Sequence, residues 1–275
     1  MSGRVHRPAS LEALWPLLAA GARPMAGGTD LLVQRRGRSL GEVALLEGIA
    51  GLDAIVAEAG RLRIGATATH ACVLRHPLVR ERLAVLAQAL ASLGSPLIRN
   101  MGTLGGNCVT ASPAGDTLPP LCALDALVEL VSRDGARRLP VSEFIVAPGR
   151  TALAPGEIVA AVLVPLPPAG ALHHFEKVGR RDALAIAVAS LAAILVRDEA
   201  GRVTEARLAV GSLAPTVVRC RKAEALLCGG RLDRETLIAA GQCIREQISP
   251  IDDIRATAAY RRDVAGKLPL RLLTL

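Results

Sequence analysis

Aromatic residues are nearly missing from this chain: one tryptophan, one tyrosine and two phenylalanines stand among 275 residues. That scarcity argues against any site that relies on aromatic stacking. Hydrophobic residues still make up 51% of the chain, so Ala, Val, Leu and Ile must fill the core. Lysine is scarce too. Only Lys177, Lys222 and Lys267 are lysines among 33 basic residues, and the other thirty are arginines, which suit pairing with phosphate or carboxylate. The formal charge is +8, yet the arginines are scattered from Arg4 to Arg271 without a long basic run. Solvated faces and partner interfaces account for them, and no nucleic-acid partner is expected.

Metal-ligand spacing is absent as well. Cys72, Cys108, Cys122, Cys220, Cys228 and Cys243 form no Cys-x-x-Cys pair and no short Cys/His array, and the adjacent His173-His174 side chains are expected to diverge. The cysteines therefore read as small apolar residues of a reducing compartment, and no metal is expected on this chain. Long apolar runs are missing too. The stretch from Ala183 to Val196 lies between Asp182 and Arg197 and is too short to span a bilayer. Near the start, Glu12 and Pro16 interrupt an apolar segment that loosely imitates a signal peptide, so an opening helix is the better reading. A soluble, cytoplasmic protein without a membrane span is the expectation.

What is present is glycine in two concentrated turns. The first is Met25-Ala26-Gly27-Gly28-Thr29-Asp30-Leu31-Leu32, and the second is Asn100-Met101-Gly102-Thr103-Leu104-Gly105-Gly106-Asn107. Glycine lets successive backbone N–H groups converge and lets a diphosphate approach the main chain. The first turn is not a Rossmann fingerprint, because the third glycine and the acidic residue after the next strand are missing. It is not a P-loop either, since no Gly-Lys-Ser/Thr follows. Gly27-Gly28 alone also fits an ordinary tight turn. The second turn, followed by Asp116, adds a hydroxyl, an amide and a carboxylate, a set suited to diphosphate and sugar hydroxyls together.

The elements mix without strict alternation, which predicts an α+β fold. Ser10 caps a helix carrying Leu11, Leu14, Leu17 and Leu18, and Thr69 caps another. Strands are expected at Val43 to Leu46, Leu62 to Ala66 and Val128 to Ser132, and helices at Leu83 to Leu93 and Leu121 to Leu127. The segment from Pro165 to Gly170 is the expected linker. Beyond it, Ile186 to Val196 and Val203 to Val210 form a hairpin, followed by helices near Arg219 to Leu227, Arg234 to Gln247 and Ile254 to Val264.

These residues resemble the flavin-carrying middle subunit of molybdenum hydroxylases, the family of xanthine dehydrogenase and carbon monoxide dehydrogenase. The resemblance rests on both glycine turns, Gly65-Ala66-Thr67, Ser112-Pro113-Ala114-Gly115-Asp116, Phe175-Glu176-Lys177-Val178-Gly179-Arg180-Arg181 and Tyr260-Arg261-Arg262. It implies a PCMH-type FAD-binding domain over 1–168, of two α+β subdomains at about 1–57 and 58–168. A smaller C-terminal α/β domain with an antiparallel sheet would cover 171–275. By the same resemblance Met25, Ala26, Gly27, Gly28, Thr29, Asp30, Leu31 and Leu32 would wrap the FAD diphosphate from one side. Thr103, Gly105, Gly106 and Asn107 would do so from the other. Asp116 would accept from sugar or ribityl hydroxyls, Leu93 would stand where some relatives place an aromatic beside the flavin, Ile158 or Val159 would pack near the adenine or ring system, and Lys177 would lie near the flavin. Read without the resemblance, Leu93 and Ile158 fit core packing, Lys177 a surface position and Asp116 a turn cap.

The implied role is an electron-transfer oxidoreductase subunit. Its FAD would take electrons from iron–sulfur clusters on a small partner after a large subunit with the molybdenum cofactor oxidises the substrate, and NAD, a quinone or another carrier would accept them. The partners would be that large subunit and the small two-iron-two-sulfur subunit, as a dimer of heterotrimers, and no residue here is expected to be catalytic. The rivals are a self-sufficient FAD oxidoreductase of the same fold, for which no substrate-site constellation is visible, and a basic binding module without cofactor.

Overall fold

The computed structural model describes residues 3–275. Its first sheet is small and parallel, in the order Val5–His6, Val43–Leu45, Arg23–Met25. The helix Leu11–Ala19 covers it, opened by Ser10, whose hydroxyl accepts from the Ala13 amide at 3.2 Å. Leu14 is fully buried there with Ala22, Ala44 and Leu46.

A second sheet carries the larger core. Five antiparallel strands run in the order Ile55–Glu58, Arg61–Gly65, Ile158–Pro165, Leu127–Ser132, Gly135–Pro140. The central strand Ile158–Pro165 is buried over seven of its eight residues, as a strand between two packed faces should be. Successive side chains point to opposite faces. Ile158 therefore joins the cluster around Leu14, whereas Val159 joins the main core with Leu62, Ile64 and Phe144. Six helices between residues 70 and 123 close the other side, among them Ala84–Ser92, Leu104–Thr110 and Leu118–Ala123.

The third sheet is antiparallel, in the order Leu172–Val178, Ala189–Arg197, Val203–Gly211, Val218–Arg219. Helices Arg221–Leu227, Arg234–Gln247 and Ala258–Lys267 pack with it around Leu191, Leu208, Leu237 and Ile244. Its opposite face meets Leu118–Ala123, so Ala192, Ile194 and Ala209 belong to the main core instead. Arg219 fixes that junction, donating to the Cys122 carbonyl at 2.9 Å and to Asp125 at 2.7 Å.

Several boundaries differ from the sequence expectation. The helix expected from Leu121 to Leu127 spans Leu118–Ala123, because Pro119 and Pro120 sit in its first turn, where amide donors are not needed. The last helix starts at Ala258, where Thr257 accepts from the Tyr260 amide at 3.2 Å, rather than at Ile254. The strand expected from Ile186 begins at Ala189. The strand Leu172–Val178 was not expected at all. Its Leu-His-His-Phe-Glu-Lys-Val sequence is half-buried throughout and lacks an apolar/polar alternation. Among the described residues no helix is long and apolar enough to cross a membrane.

Candidate functional site

A cleft of about 890 Å³ opens between the first sheet, the helices of the main core and the third sheet's loops. Both glycine turns line it: Met25 through Leu31 on one wall, Thr103, Gly106 and Asn107 on the other. Leu93 and Asp116 line it too, as do Leu184, Ala185, Ile186 and Arg255 from the C-terminal part. Ile186, expected as the first residue of a strand, thus forms part of the wall.

The turns differ in what they offer. In the first, the backbone N–H groups of Gly27, Gly28, Thr29 and Asp30 have no hydrogen-bond acceptor within the described residues. Four consecutive unspent donors beside a cleft are groups that can take up an anion. Gly28 adopts φ +68°, a region open to glycine but strained for other residues. In the second turn most donors are already used. The amides of Gly102, Leu104 and Gly105 bond the carbonyls of Ile98, Ala68 and Ala66 at 2.7, 3.1 and 3.1 Å. Thr103 caps the helix Leu104–Thr110, its hydroxyl accepting from the Gly106 amide at 3.1 Å.

Glycine is needed in these turns partly for packing. A Cβ at Gly27 would collide with the Met101 carbonyl, so the two turns touch backbone to backbone at that point. A Cβ at Gly105 would stand 2.6 Å from the Ala66 Cβ, which explains why Gly105 packs beneath the cleft and does not line it. Asn107 accepts from the Thr117 hydroxyl through Oδ1 at 2.5 Å, leaving its amide group to donate elsewhere. Asp30 accepts from Gln34 at 2.5 Å and from Thr110 at 3.1 Å, which ties the first turn to the helix after the second.

Asp116 carries the clearest ligand signal. The residue is 7% exposed, its Oδ2 accepts from Lys177 Nζ at 2.5 Å, and its Oδ1 has no partner. A buried acceptor left unpaired is costly unless a ligand completes it. Burial pushes the Asp116 carboxyl above the usual carboxylate range, against the opposing ion pair with Lys177. Lys177 does not line the cleft; it donates to Asp116 and, at 3.2 Å, to the Ser92 carbonyl.

Ile158, Val159 and Leu32 are not among the lining residues either. The first two sit in hydrophobic clusters on opposite faces of their strand, and Leu32 lies on the outer turn of Leu31–Gln34, 49% exposed. Conversely, sequence reading missed His70, Arg23 and Arg255 in the wall. His70 directly follows the cap Thr69, but a lone histidine after a capping threonine carries no signal of its own. The unpaired Asp116 oxygen, the free first-turn amides and the two-walled cleft together fit a ligand bearing both an anionic linker and hydroxyl groups. FAD is such a ligand.

Relatives agree with that chemistry. Residues 1–167 match the family described as the FAD binding domain in molybdopterin dehydrogenase, and residues 173–274 match the CO dehydrogenase flavoprotein C-terminal domain. A xanthine dehydrogenase FAD-binding subunit of Escherichia coli O157:H7 is 33% identical over 266 residues, covering 93% of this chain and 89% of that protein. A nicotinate dehydrogenase FAD-subunit of Eubacterium barkeri is 32% identical, covering 87% of this chain and 82% of that protein. Among solved structures, a chain of the carbon monoxide dehydrogenase of Hydrogenophaga pseudoflava superposes with a TM-score of 0.93 at 29% identity, covering 100% of this chain and 96% of that one. The chain therefore belongs to the FAD-binding medium subunits of molybdenum hydroxylases, the xanthine and carbon monoxide dehydrogenase family, and is an oxidoreductase subunit.

Proposed function

We propose that this chain is the electron-transfer subunit of a cytoplasmic heterotrimeric molybdenum hydroxylase, working between the iron–sulfur clusters of a small partner and a terminal acceptor such as NAD or a quinone. The large partner would hold the molybdenum cofactor, and the complex would be a dimer of heterotrimers. The observation that carries the reading is the buried Asp116 carboxylate, paired through one oxygen and open through the other beside the free amides of Gly27 to Asp30. Bound FAD would supply the redox chemistry, taking electrons one at a time from the iron–sulfur clusters and passing them on singly or in pairs. The chain binds, orients and shields. The amides of Gly27, Gly28, Thr29 and Asp30, with the Thr103 hydroxyl and the Asn107 amide group opposite, would hold the diphosphate, and Gly106, its own amide spent on Thr103, would leave room for its close approach. Asp116 Oδ1 would accept from a sugar or ribityl hydroxyl, and Leu93 would give an apolar wall to the ring system.

Lys177 enters this reading as a positioning residue. Its ammonium group favours the ionised form of Asp116 against the opposing effect of burial and aims the carboxyl, so its influence reaches the cofactor through that group. A division at 168–171 falls between the strand Ile158–Pro165 of the second sheet and Leu172–Val178 of the third, and subdomains near 1–57 and 58–168 would hold the first sheet and most of the second.

The test is purification from the native host, an absorption spectrum, and heat release with identification of the flavin. Expected is a flavin spectrum, FAD in the supernatant, added iron–sulfur absorbance, and co-purifying large and small chains. A chain that turns over alone with no partner would overturn the heteromeric role, and a colourless chain that cannot be loaded with FAD would overturn the site.

A further inference from the structure

His70 lines the cleft while being only 3% exposed, and its Nδ1 is buried without a partner. Its place is fixed at the junction of the two turns. The His70 amide donates to the Gly102 carbonyl at 2.9 Å, and the neighbouring Thr69 forms a bridge with Thr103. A Cβ built on Gly102 would lie 3.0 Å from His70 Cδ2 and 3.3 Å from Thr29 Oγ1, so the imidazole edge and the first turn's hydroxyl meet over one glycine.

Charge around this point is one-sided. Neither turn, 25–32 nor 102–107, contains a lysine or arginine, and the first contributes the carboxylate of Asp30. The helix His70–Arg75 packs against Pro77–Arg82, Ala84–Ser92 and Pro96–Met101. From these, the charge acting on His70 is Arg99, and its Nη1 is committed to the carbonyls of Leu93 and Gly94 at 2.8 and 3.1 Å. Arg82 turns to the Pro167 carbonyl, Arg80 and Glu81 are exposed, and Ala84–Ser92 contains no titratable side chain. On its own helix Cys72 and Arg75 are exposed. Of the arginines in the cleft wall, Arg255 is paired with Asp253 and Arg23 stands in the strand before the first turn, so within the two turns themselves an arriving diphosphate would meet backbone amides and no lysine or arginine.

We propose that His70 is a further binding residue for the cofactor's diphosphate, taking up a proton from solvent as the diphosphate enters and so becoming the cation between the two turns. The inference rests on the assignment of both turns to that diphosphate. In the free chain, burial and the nearby Arg99 hold the His70 ring down at about 4, so it is neutral near neutral pH. A diphosphate alongside favours the charged ring. Both imidazolium nitrogens are then N–H donors, and a phosphate oxygen is an acceptor of a kind that the fold itself does not give Nδ1. By linkage, affinity for FAD strengthens as pH falls from neutral toward the free-chain value, because the complex binds one more proton than the free chain.

The experiment uses the deflavinated full chain, with histidine nitrogen resonances followed across pH with and without FAD and with pyrophosphate as a second probe. FAD dissociation constants are read by fluorescence for the wild type and His70→Gln at about pH 8 and about pH 6. Expected is an upward move of the His70 titration on adding FAD, and tighter wild-type binding at the lower pH. His70→Gln should bind about tenfold more weakly there, with that pH dependence reduced. Asp116 titrates in the opposite sense, so the difference between the two proteins isolates His70. A His70 resonance that FAD does not move, or a variant with wild-type affinity and pH dependence, overturns the proposal. If the variant does not fold, the wild-type resonance decides alone. A wild-type chain that binds no FAD overturns the assignment of the turns as well, whereas FAD binding with a silent His70 overturns this inference only.

Discussion

Gly27 and Gly28 are neighbours that lack a side chain for different reasons. At Gly27 a Cβ would strike the Met101 carbonyl, and at Gly28 the backbone sits at φ +68° with Leu32 and Met25 only 3.1 and 3.2 Å from the added atom. Gly27→Ala should therefore separate the two turns and lower both thermal stability and flavin content. Gly28→Val should abolish flavin retention, read as the flavin-to-protein ratio; an unchanged ratio would detach this turn from the cofactor. At Asp116 the balance is electrostatic. Asp116→Ala leaves the Lys177 ammonium, 9% exposed, with the Ser92 carbonyl as its remaining partner. Breaking such a buried pair costs about 3–5 kcal/mol, so the variant should show a clear loss in chemical denaturation. Replacing both partners, as Asp116→Leu with Lys177→Met, should recover much of that stability without recovering FAD binding. Stability recovered together with FAD affinity would show that Asp116 serves the fold and not the ligand.

At the scale of elements, the two glycine turns and the caps at Ser10 and Thr69 were legible because each depends on residues close in sequence, whereas Asp116 stood out beside the second turn but has its partner Lys177 61 residues away. The strand Leu172–Val178 was not, since its place is set by pairing with Ala189–Arg197 and by the helix Ala84–Ser92, whose Gln88 accepts from the Phe175 amide at 2.7 Å. The free and spent amides of the two turns were equally hidden, because Ala66 and Ala68 lie nearly forty residues before the donors that they satisfy. The late start of the last helix has a local cause that composition masks. Asp253 accepts from the amides of Arg255 and Ala256 and from the side chains of Arg255 and Arg261, binding residues 253–256 into a turn. Burial raises the Asp253 carboxyl, but these bonds outweigh it and hold the group well below the ordinary carboxylate range. A depressed carboxylate contributes stability that is present above its unfolded value and is lost as pH falls through its folded one. Asp253→Asn should therefore lower the melting temperature at neutral pH and flatten the acid limb of the stability curve. An identical acid limb would mean that Asp253 contributes nothing to it.

Over the whole molecule, the cleft is shared property. Its free amides come from the first thirty residues, its helix cap and carboxylate from the middle, and Leu184, Ile186 and Arg255 from the C-terminal part. Arg219 at the junction holds Cys122 and Asp125 on one side and Glu224 on the other. Arg219→Ala should loosen the C-terminal sheet from the helix Leu118–Ala123, seen as faster amide exchange there and weaker FAD retention although residue 219 is outside the cleft. Exchange unchanged in that helix would show that the apolar contact alone holds the parts together. The same dependence has a consequence in time. The ion pair that aims Asp116 spans 61 residues, and Lys177 is held in its strand by the later segment Ala189–Arg197. A ribosome delivers the amide donors early and the residues that steady the carboxylate late. A product truncated before the third sheet would carry both glycine turns and Asp116, but neither the lysine that aims the carboxylate nor the part of the wall formed by Leu184, Ala185, Ile186 and Arg255.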